Sequence, residues 1–539
     1  MRPPRVRIQA LTAFQTASWL VSMVLVACGD FLVEPSTPQV IIEPQAFVLR
    51  VGDSLLVEAQ AVGEDGFIDN PTLFAEFDRP IATIDLENLS VRGIAPGEGE
   101  LMLTEATESG VGFARLRVIE EFIWLAAGAH HTCGLAGLGR LYCWGDNTYG
   151  QLGRVGPDSN VPVRIAPGTD WSGIRASGSF PQWNDRRLAA GSFHTCAITT
   201  TDPGLHPSLG PLKCWGRGTS GQLGTGDYAD AATPTLVAGG HVFSSVSAGP
   251  EHTCAIASRF PNDDASGGGS RPYGVYCWGR NDRGQLGDGT TQDRPVPTPI
   301  GVDARFQWIS VSDHSCAVTI DGALYCWGPN EMGQLGDGTT TDRSTPVLIG
   351  GATEFENVEA GPQSTCGIVA SNLLCWGRNV GHILGEDVGE FSPTPVVAPR
   401  LALRLTTAAF VTMAPVALGG EGESGYGCAS MQVSANAVSY TACWGANGNG
   451  QLGIGSTSGA PVSPDTLQIA PLVSLHAGAA HTCALTVSGR AYCWGANAEG
   501  QLGNGTNVDA LVPSRLLVEG DPLATARQRV EQSGAGHHP

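Results

Sequence analysis

The chain has 539 residues, and its 15 cysteines are the residues most able to carry out chemistry. Fourteen of them form seven spaced pairs. The first cysteine of a pair usually stands in Ala-Gly-x-x-His-Thr-Cys-Ala, and the second opens the triplet Cys-Trp-Gly. A thiol close to a histidine can bind zinc, act as a nucleophile or form a disulfide. The pairs are Cys133 with Cys143, Cys196 with Cys214, Cys254 with Cys277, Cys316 with Cys326, Cys366 with Cys375, Cys428 with Cys443, and Cys483 with Cys493. The elements that carry the cysteines decide between these chemistries.

The cysteine pairs belong to a repeat with a base unit near 50 residues, because successive Cys-Trp-Gly triplets lie 71, 63, 49, 49, 68 and 50 residues apart. Gln-Leu-Gly follows every triplet except the fifth, where His382-Ile383-Leu384-Gly385 replaces Gly-Gln-Leu-Gly. Each unit contains short, strand-like runs separated by glycine-rich turns, and no long helical period follows residue 120. Seven such units predict seven four-stranded sheets in a ring, which is a seven-bladed β-propeller.

The repeated unit resembles the regulator of chromosome condensation repeat over roughly residues 121–520. The residues that carry the resemblance are Ala-Gly-x-x-His-Thr-Cys-Ala-Leu and Tyr-Cys-Trp-Gly-x-Asn-x-x-Gly-Gln-Leu-Gly. The resemblance implies a seven-bladed propeller, which seven copies would close. It also implies guanine-nucleotide exchange on a small GTPase as one function to weigh, and enzyme inhibition as another, since the family includes a secreted propeller that blocks β-lactamases.

Disulfides are the chemistry that we predict for all seven pairs. In four units the two cysteines are nine or ten positions apart across one turn, so they face each other on antiparallel strands within disulfide reach. Zinc is the rival, but each His-x-Cys…Cys group on a separate blade offers three protein ligands instead of four. The pairing leaves Cys28 as the odd cysteine and removes the other thiols as nucleophiles.

The N-terminus predicts export and lipid anchoring. Arg2, Arg5 and Arg7 precede an apolar run that ends in Leu-Val-Ala-Cys, which resembles the bacterial lipoprotein signal with Cys28 as the lipidated residue. An ordinary cleaved signal and a transmembrane anchor are the alternatives. We therefore predict a signal peptide at residues 1–27, a tether at 28–38 and a place in the bacterial cell envelope, outside the cytoplasm.

Residues 39–120 contain neither cysteine nor tryptophan and read as short strands with close turns, which predicts a small β-sandwich. The runs Val-Gly-Asp-Ser-Leu, Ile-Ala-Thr-Ile-Asp and Val-Arg-Gly-Ile-Ala-Pro-Gly resemble the group 2 bacterial immunoglobulin-like domain. The resemblance implies a spacer or adhesive module. The predicted fold class is thus all-β, an Ig-like sandwich followed by a propeller at 121–520 and a disordered tail at 521–539.

Composition excludes several functions. Lys213 is the single lysine, so Schiff-base and P-loop chemistry are unsupported. A net charge of −21 argues against nucleic-acid binding. The histidine of the repeat returns in five units and predicts a structural hydrogen bond. The loops Asp288–Asp293 and Asp337–Asp342 are better explained as turns than as calcium sites. We predict no cofactor, no metal and no catalytic residue.

The variable segments are where we expect binding. Residues 170–187 form an insertion whose aromatic and arginine side chains are of the types that anchor protein interfaces, although they can also pack beneath their own loop. The candidate interface residues are Trp171, Phe180, Trp183, Arg186 and Arg187. Long hairpins also separate the cysteines of the second, third and sixth pairs, by 17, 22 and 14 residues.

These observations favour a monomeric, non-catalytic surface lipoprotein whose propeller binds an extracellular protein or glycan. Membrane contact is expected through the lipid anchor alone. The alternatives are an inhibitor of a secreted enzyme and an enzyme acting on cell wall or polysaccharide, which would require a pair of carboxyl groups at the channel mouth. Nucleotide exchange is disfavoured, because an exported, acidic, disulfide-bonded chain has no access to a cytosolic GTPase.

Overall fold

The computed structural model describes residues 39–517 except for the following gaps: 44–45, 51–53, 57, 64–65, 68–72, 78–81, 86–89, 94–96, 106–110, 120–121, 137–138, 172–185, 200–208, 259–272, 371, 385–387, 398–409, 421–423, 434–437, 468 and 488. The described chain divides into two compact units, at residues 39–119 and 122–517. The predicted signal peptide, Cys28, the tether, the tail, Phe180 and Trp183 lie outside the described residues.

The first unit is built of strands alone in its described part. Its strands are β1 (Gln39–Glu43), β2 (Ala46–Arg50), β3 (Ser54–Leu56), β4 (Glu58–Gly63), β5 (Gly66–Phe67), β6 (Leu73–Phe77), β7 (Ala82–Asp85), β8 (Ser90–Gly93), β9 (Gly97–Glu105) and β10 (Val111–Ile119). A seven-stranded sheet has the order β5-β4-β1-β10-β9-β6 with β2 paired to β10, and a three-stranded sheet has the order β3-β8-β7. The unit is all-β as predicted, and its Ig-like identity stays a prediction.

The second unit is a ring of seven four-stranded antiparallel sheets, which confirms the predicted propeller. Each blade uses four consecutive strands. The first strands are β11 (Phe122–Ala127), β15 (Leu188–Ala190), β19 (Val242–Ala248), β23 (Phe306–Val311), β27 (Asn357–Ala360), β31 (Phe410–Gly419) and β35 (Leu472–Ala477). The second strands are β12 (His131–Ala136), β16 (His194–Ile198), β20 (His252–Ser258), β24 (Ser315–Thr319), β28 (Ser364–Val369), β32 (Tyr426–Val433) and β36 (His481–Thr486).

The two outer strands complete each blade. The third strands are β13 (Arg140–Gly145), β17 (Leu212–Gly216), β21 (Tyr273–Gly279), β25 (Leu324–Gly328), β29 (Asn372–Arg378), β33 (Val438–Asn447) and β37 (Ala491–Gly495). The fourth are β14 (Ser159–Ile165), β18 (Ala231–Leu236), β22 (Arg294–Pro299), β26 (Arg343–Ile349), β30 (Phe391–Val397), β34 (Ser458–Leu467) and β38 (Ala510–Arg515). A 3₁₀ turn lies at Val380–His382.

A disulfide joins the second and third strands of every blade, and all seven predicted pairs are present. The bonds link Cys133 to Cys143, Cys196 to Cys214, Cys254 to Cys277, Cys316 to Cys326, Cys366 to Cys375, Cys428 to Cys443, and Cys483 to Cys493. The two cysteines of a pair are direct cross-strand partners, as Cys316 and Cys326 show. Their Cα atoms lie 4.1 Å apart, and both residues are fully buried. The disulfides therefore hold the centre of each blade, where the strand register predicted them.

Adjacent blades are joined by a repeated latch. Between the second and third blades, His194 Nε2 bonds Thr253 Oγ1 at 2.8 Å. Thr253 Oγ1 and Trp278 Nε1 both donate to the main-chain carbonyl of Gln222, each at 2.9 Å. The indole of Trp278 is fully buried in the core shared by the two blades. The His-Thr-Cys, Cys-Trp-Gly and Gln-Leu-Gly motifs thus meet at one point, and this meeting explains why they recur together.

The histidine bond of the latch also joins His131 to Thr195, His252 to Ser315, His314 to Thr365 and His481 to Thr132. The last of these bonds connects the seventh blade to the first and closes the ring. Trp144 Nε1 donates to the carbonyl of Gln501 at 2.9 Å across the same boundary. In the sixth blade Tyr426 replaces the histidine, and its hydroxyl donates to the carbonyls of Gly478 and His481 in the next blade.

Candidate functional site

The first strands of the blades line a central channel, and one part of it widens into a cavity of about 500 Å³. Trp124, Leu188, Trp308, Glu359 and Ser474 are among its lining residues and come from five different blades. The volume falls within the range of small-molecule sites in proteins. The cavity is therefore the first place in the propeller to examine for ligand binding.

An arginine–glutamate pair spans this cavity. Arg186 precedes the first strand of the second blade, and its guanidinium pairs with the carboxylate of Glu359 in the fifth blade. The Arg186 guanidinium carbon lies 4.2 Å from the centre of the Trp308 ring, and Ser310 Oγ donates to Glu359 Oε2 at 3.0 Å. Burial raises the pKa of Glu359 above its ordinary value, and the Arg186 guanidinium and the Ser310 hydroxyl oppose that shift. The pair places two opposite, mutually compensating charges inside the ring.

The opposite wall of the cavity carries a histidine and a serine from β35. The His476 ring meets Trp124 edge to face, with 5.3 Å between ring centres. Burial lowers the pKa of His476 to about 3, and the Arg186 charge adds to the effect, so the imidazole is neutral at neutral pH. Within the described part of the chain, His476 Nε2, Ser474 Oγ and Arg186 Nε are buried and have no hydrogen-bond partner. These three atoms belong to residues that line the cavity, but the atoms themselves are closed off from it.

The other end of the channel is narrow and formed by main chain. A second cavity of about 300 Å³ is lined there by the Ala-Gly turns that follow the first strands. The chains approach closely, since a Cβ atom on Gly478 would lie 2.2 Å from the Gly128 carbonyl oxygen of the next blade. Seven side chains, one from each blade, line both cavities: Ala127, Ala190, Ala248, Val311, Ala360, Leu418 and Ala477. A belt of alanine, valine and leucine side chains therefore separates the two cavities.

The predicted interface residues do not form an exposed patch in the described structure. Trp171 is 1% exposed and packs on Trp215 with 5.8 Å between ring centres, which agrees with the alternative that this side chain is packed inside the protein. Arg187 is also buried, and Arg186 lies in the channel. Trp171 is buried because it fills the core between the first and second blades, which a large aromatic side chain stabilises. Phe180 and Trp183 lie outside the described residues.

Most of the cavity residues were not predicted from the sequence. Glu359 is separated from Arg186 by 173 positions, and Trp124, Trp308 and His476 lie on strands without a repeated motif. The available signal was the departure of Glu359 and His476 from the alanine or serine that the other five first strands carry at the same position. Arg186 was identified, but for a surface role instead of a channel role.

The repeated histidines have the structural role that we predicted. His131, His194, His252, His314 and His481 are almost fully buried, and burial lowers the pKa of each to about 3. Each imidazole is consequently neutral at neutral pH and hydrogen-bonded through Nε2. In this state they act as latches between blades.

The aspartate loops are closed by the chain itself. Asn281 Nδ2 donates to Asp288 Oδ1 at 3.1 Å and to the carbonyls of Thr290 and Gln292. The side-chain amide of Asn281 therefore already bonds to the oxygens that would bind a cation. Arg294 Nε donates to Asp288 Oδ2 at 2.8 Å. Asn330 occupies the same position in the Asp337 loop. The loops are self-contained turns, and the described residues hold no cluster of three or more metal-ligating side chains.

The ring of seven four-stranded blades around a polar channel defines the class, a seven-bladed β-propeller. Regulator of chromosome condensation (RCC1) repeat models match residues 139–198, 214–256, 274–318, 321–368, 443–485 and 488–538, and a second model matches 125–151 and 473–501. These matches cover more than half of the chain. The chain belongs to the RCC1 repeat family.

Relatives share the repeat over part of their length. The Ultraviolet-B receptor UVR8 of Arabidopsis thaliana is 32% identical over 206 residues, which are 37% of this chain and 39% of the receptor. The E3 ubiquitin-protein ligase HERC2 of Homo sapiens is 28% identical over 46% of this chain and 5% of the ligase. The matched regions thus take in less than two thirds of either relative.

Solved structures agree on the fold. Human WBSCR16 has a TM-score of 0.54 at 19% identity, covering 71% of this chain and 95% of that protein. Yeast RCC1 (Prp20), solved with Kap60, has a TM-score of 0.51 at 18% identity, covering 74% and 85%. At these identities the likeness concerns the fold alone. Among the described residues, no helix has the length and apolar character needed to span a membrane.

Proposed function

We propose that the chain is a non-catalytic binding scaffold that presents a disulfide-tied propeller outside the cytoplasm. The observation that carries the proposal is that histidine and carboxylate side chains of the propeller are used in hydrogen bonds and an ion pair within the protein. The five repeated histidines join blades, and Glu359 is held by Arg186 and Ser310. Such groups support a rigid ring, while the variable loops and the channel are left to recognise a partner.

Lipid anchoring of Cys28 is the second part of the proposal. Seven disulfides fit an oxidising compartment, and they leave Cys28 as the one cysteine outside the pairs. In a bacterial host grown with labelled palmitate, the wild-type chain should incorporate label and fractionate with membranes. Cys28→Ser should abolish labelling, whereas Cys28→Ser combined with an ordinary signal peptide should yield soluble chain. Labelling that persists in Cys28→Ser would contradict the proposal.

The binding function is tested with the mature chain carrying Cys28→Ser. Extracellular proteins and glycans from the native habitat are captured on this chain and identified by mass spectrometry. A variant in which the 17 residues between Cys196 and Cys214 are replaced by the nine-residue turn between Cys483 and Cys493 should lose the partner. The matched control shortens the 14 residues between Cys428 and Cys443 in the same way. A partner that binds both variants as it binds the wild type would refute the role of the long hairpin.

The activities named for relatives are not assigned to this chain. The relatives' names refer to light reception and protein ligation, and the regions matched here are partial. Incubation of the purified chain with polysaccharides serves as the counter-test for the non-catalytic proposal. Product release that disappears in Glu359→Gln would show an enzyme instead of a scaffold.

A further inference from the structure

The outer rim of the propeller is formed by the fourth strands of the seven blades. Within the described structure each of these strands pairs with the third strand of its own blade and stands at the edge of the sheet. An edge strand offers main-chain N–H and C=O groups to any further strand. Several of these strands also expose apolar side chains, since Leu236 is 57% exposed, Leu348 45% and Val512 56%. Exposed apolar edges are the places where β-proteins associate with other chains.

Each fourth strand carries a proline at one fixed place in the register. The proline directly precedes the residue that pairs with the second cysteine of the blade. In β26, for example, Pro346 precedes Val347, which is the cross-strand partner of Cys326. The seven prolines are Pro162, Pro234, Pro297, Pro346, Pro395, Pro464 and Pro513. A residue type that returns at one register position in all seven blades indicates a common role.

The register of β22 places the proline nitrogens on the open side of the edge. Directly after β22, Ile300 N–H donates to a carbonyl of β21 at 3.1 Å, and Thr298 pairs with Cys277. Main-chain groups of a strand alternate between its two sides, so Pro297 and Pro299 direct their nitrogens away from β21. A proline nitrogen carries no hydrogen. The open side of β22 therefore lacks two successive donors.

The same alternation holds in two further blades. Val237 N–H, directly after β18, donates into β17 at 3.0 Å, and Leu516 N–H, directly after β38, donates into β37 at 3.3 Å. Pro234 and Pro513 stand three residues before these donors, so their nitrogens lie on the opposite, open side of the strand. The missing donor is thus on the side where an added strand would bind.

A loop of the preceding blade occupies a further main-chain group of the rim. In five blades the carbonyl two residues before the proline accepts a hydrogen bond of 2.8 or 2.9 Å from a loop glycine of the preceding blade. The bonds run from Gly226 to Pro295, from Gly289 to Ser344, from Gly338 to Pro393, from Gly455 to Leu511 and from Gly505 to Asn160. Each of these strands has one carbonyl already bonded and the next donor removed, which interrupts the ladder that an added strand requires.

We propose that the prolines of the fourth strands close the rim of the propeller to strand addition and keep copies of the chain from associating edge to edge. A strand from a second copy or from another protein would meet an interrupted row of donors at every blade. Partners are thereby confined to the two faces of the ring and its channel. The inference goes beyond the proposed scaffold function and is independent of it, since its test requires no partner.

The test uses the mature chain carrying Cys28→Ser and sedimentation velocity at rising protein concentration. Pro346→Thr restores one N–H group on β26, and Pro297→Thr combined with Pro299→Thr restores two on β22, in each case with a residue that suits a strand. The wild type should stay monomeric. Both rim variants should form dimers and larger species whose fraction rises with concentration. In associated Pro346→Thr, hydrogen exchange should slow at the main-chain amides of residues 343–349.

The matched control is Pro250→Thr, which removes a proline from a turn at the narrow end of the channel and should leave the chain monomeric. Adding Leu348→Lys to Pro346→Thr places a charge on the edge and should restore the monomer. Thermal unfolding checks that each variant folds. Wild-type chains that associate through their fourth strands, or folded rim variants that stay monomeric, would overturn the inference. Equal association of Pro250→Thr would also overturn it, because the position of the lost proline would then not matter.

Discussion

The five buried histidines of the blades predict that the propeller loses stability in mild acid. Five histidines form interblade latches in their neutral state, and burial lowers the pKa of each to about 3. An unfolded chain would protonate the same residues near pH 6.5. The perturbation we consider is a change from pH 7.5 to pH 5, with the disulfides intact.

The direction in which stability changes with pH follows from the number of protons that the folded and unfolded states bind. Between about pH 6.5 and pH 3 the unfolded state holds more protons than the folded state, so stability is full above pH 6.5 and is lost as the pH falls. At pH 5 the loss is about 2 kcal/mol for each histidine. Five such residues amount to about 10 kcal/mol, which is comparable to the whole stability of a typical domain. We therefore expect the propeller to unfold at pH 5 in denaturant concentrations that it withstands at pH 7.5.

The assay is urea unfolding followed by tryptophan fluorescence at half-unit steps between pH 7.5 and pH 5, a range above the titration of ordinary carboxylates. His194→Tyr is the informative variant, because the sixth blade already uses Tyr426 at this position and a tyrosine does not titrate in this range. It should reduce the loss at pH 5 by about 2 kcal/mol. The control is His382→Asn, since His382 is exposed.

Equal pH dependence in the wild type and His194→Tyr would show that the buried histidines are not the source of the acid sensitivity. A flatter dependence in His382→Asn would refute the expectation as well, because the acid sensitivity would then come from exposed histidines. Unfolding that shows no change between pH 7.5 and pH 5 in the wild type would show that the latches tolerate protonation.

Three further predictions concern stability. Replacing Cys316 and Cys326 together by alanine should lower the free energy of unfolding by roughly 2.5–3 kcal/mol for a loop of about ten residues, measured by urea unfolding against the oxidised wild type. Equal stability of the two chains would contradict this expectation. Gly478→Ala places a Cβ atom 2.2 Å from a main-chain oxygen and should lower the free energy of unfolding by about 1–3 kcal/mol. Gly301→Ala has open space around the new Cβ atom and should leave the free energy of unfolding unchanged. Trp171→Ala should lower the free energy of unfolding by about 3–5 kcal/mol and leave capture of the partner unchanged. A variant that keeps its full stability but no longer captures the partner would show that Trp171 belongs to the interface.

The blades and disulfides were predictable because their signals are local. The cysteines of each pair are direct cross-strand partners within one blade, as Cys483 and Cys493 are, so sequence order fixes the spatial order. The latch residues were visible as motifs, although their meeting point was not, since the carbonyl of Gln222 receives bonds from a neighbouring repeat. Because the motifs recur along the chain, they could be recognised from the sequence alone.

The channel could not be predicted in the same way. Its chemistry depends on Arg186 and Glu359, which stand on different blades at positions where a repeat has no fixed residue type. The two readings of Trp171 stayed open in the sequence for a related reason, because an aromatic residue in an insertion can be exposed or can pack between blades. Only the ring geometry distinguishes the two.

The closure of the ring determines how the chain can be rearranged. Each blade is a continuous segment of four strands, and the boundary between the seventh and first blades uses the same kind of latch as the boundary between the second and third. The boundary between the chain ends of the propeller is thus equivalent to the boundary between the second and third blades. A circular permutant that links Leu517 to Phe122 and opens between β18 and β19 should keep every disulfide and every blade. Because every sheet of the propeller is made of consecutive strands, opening the ring at this boundary divides no blade.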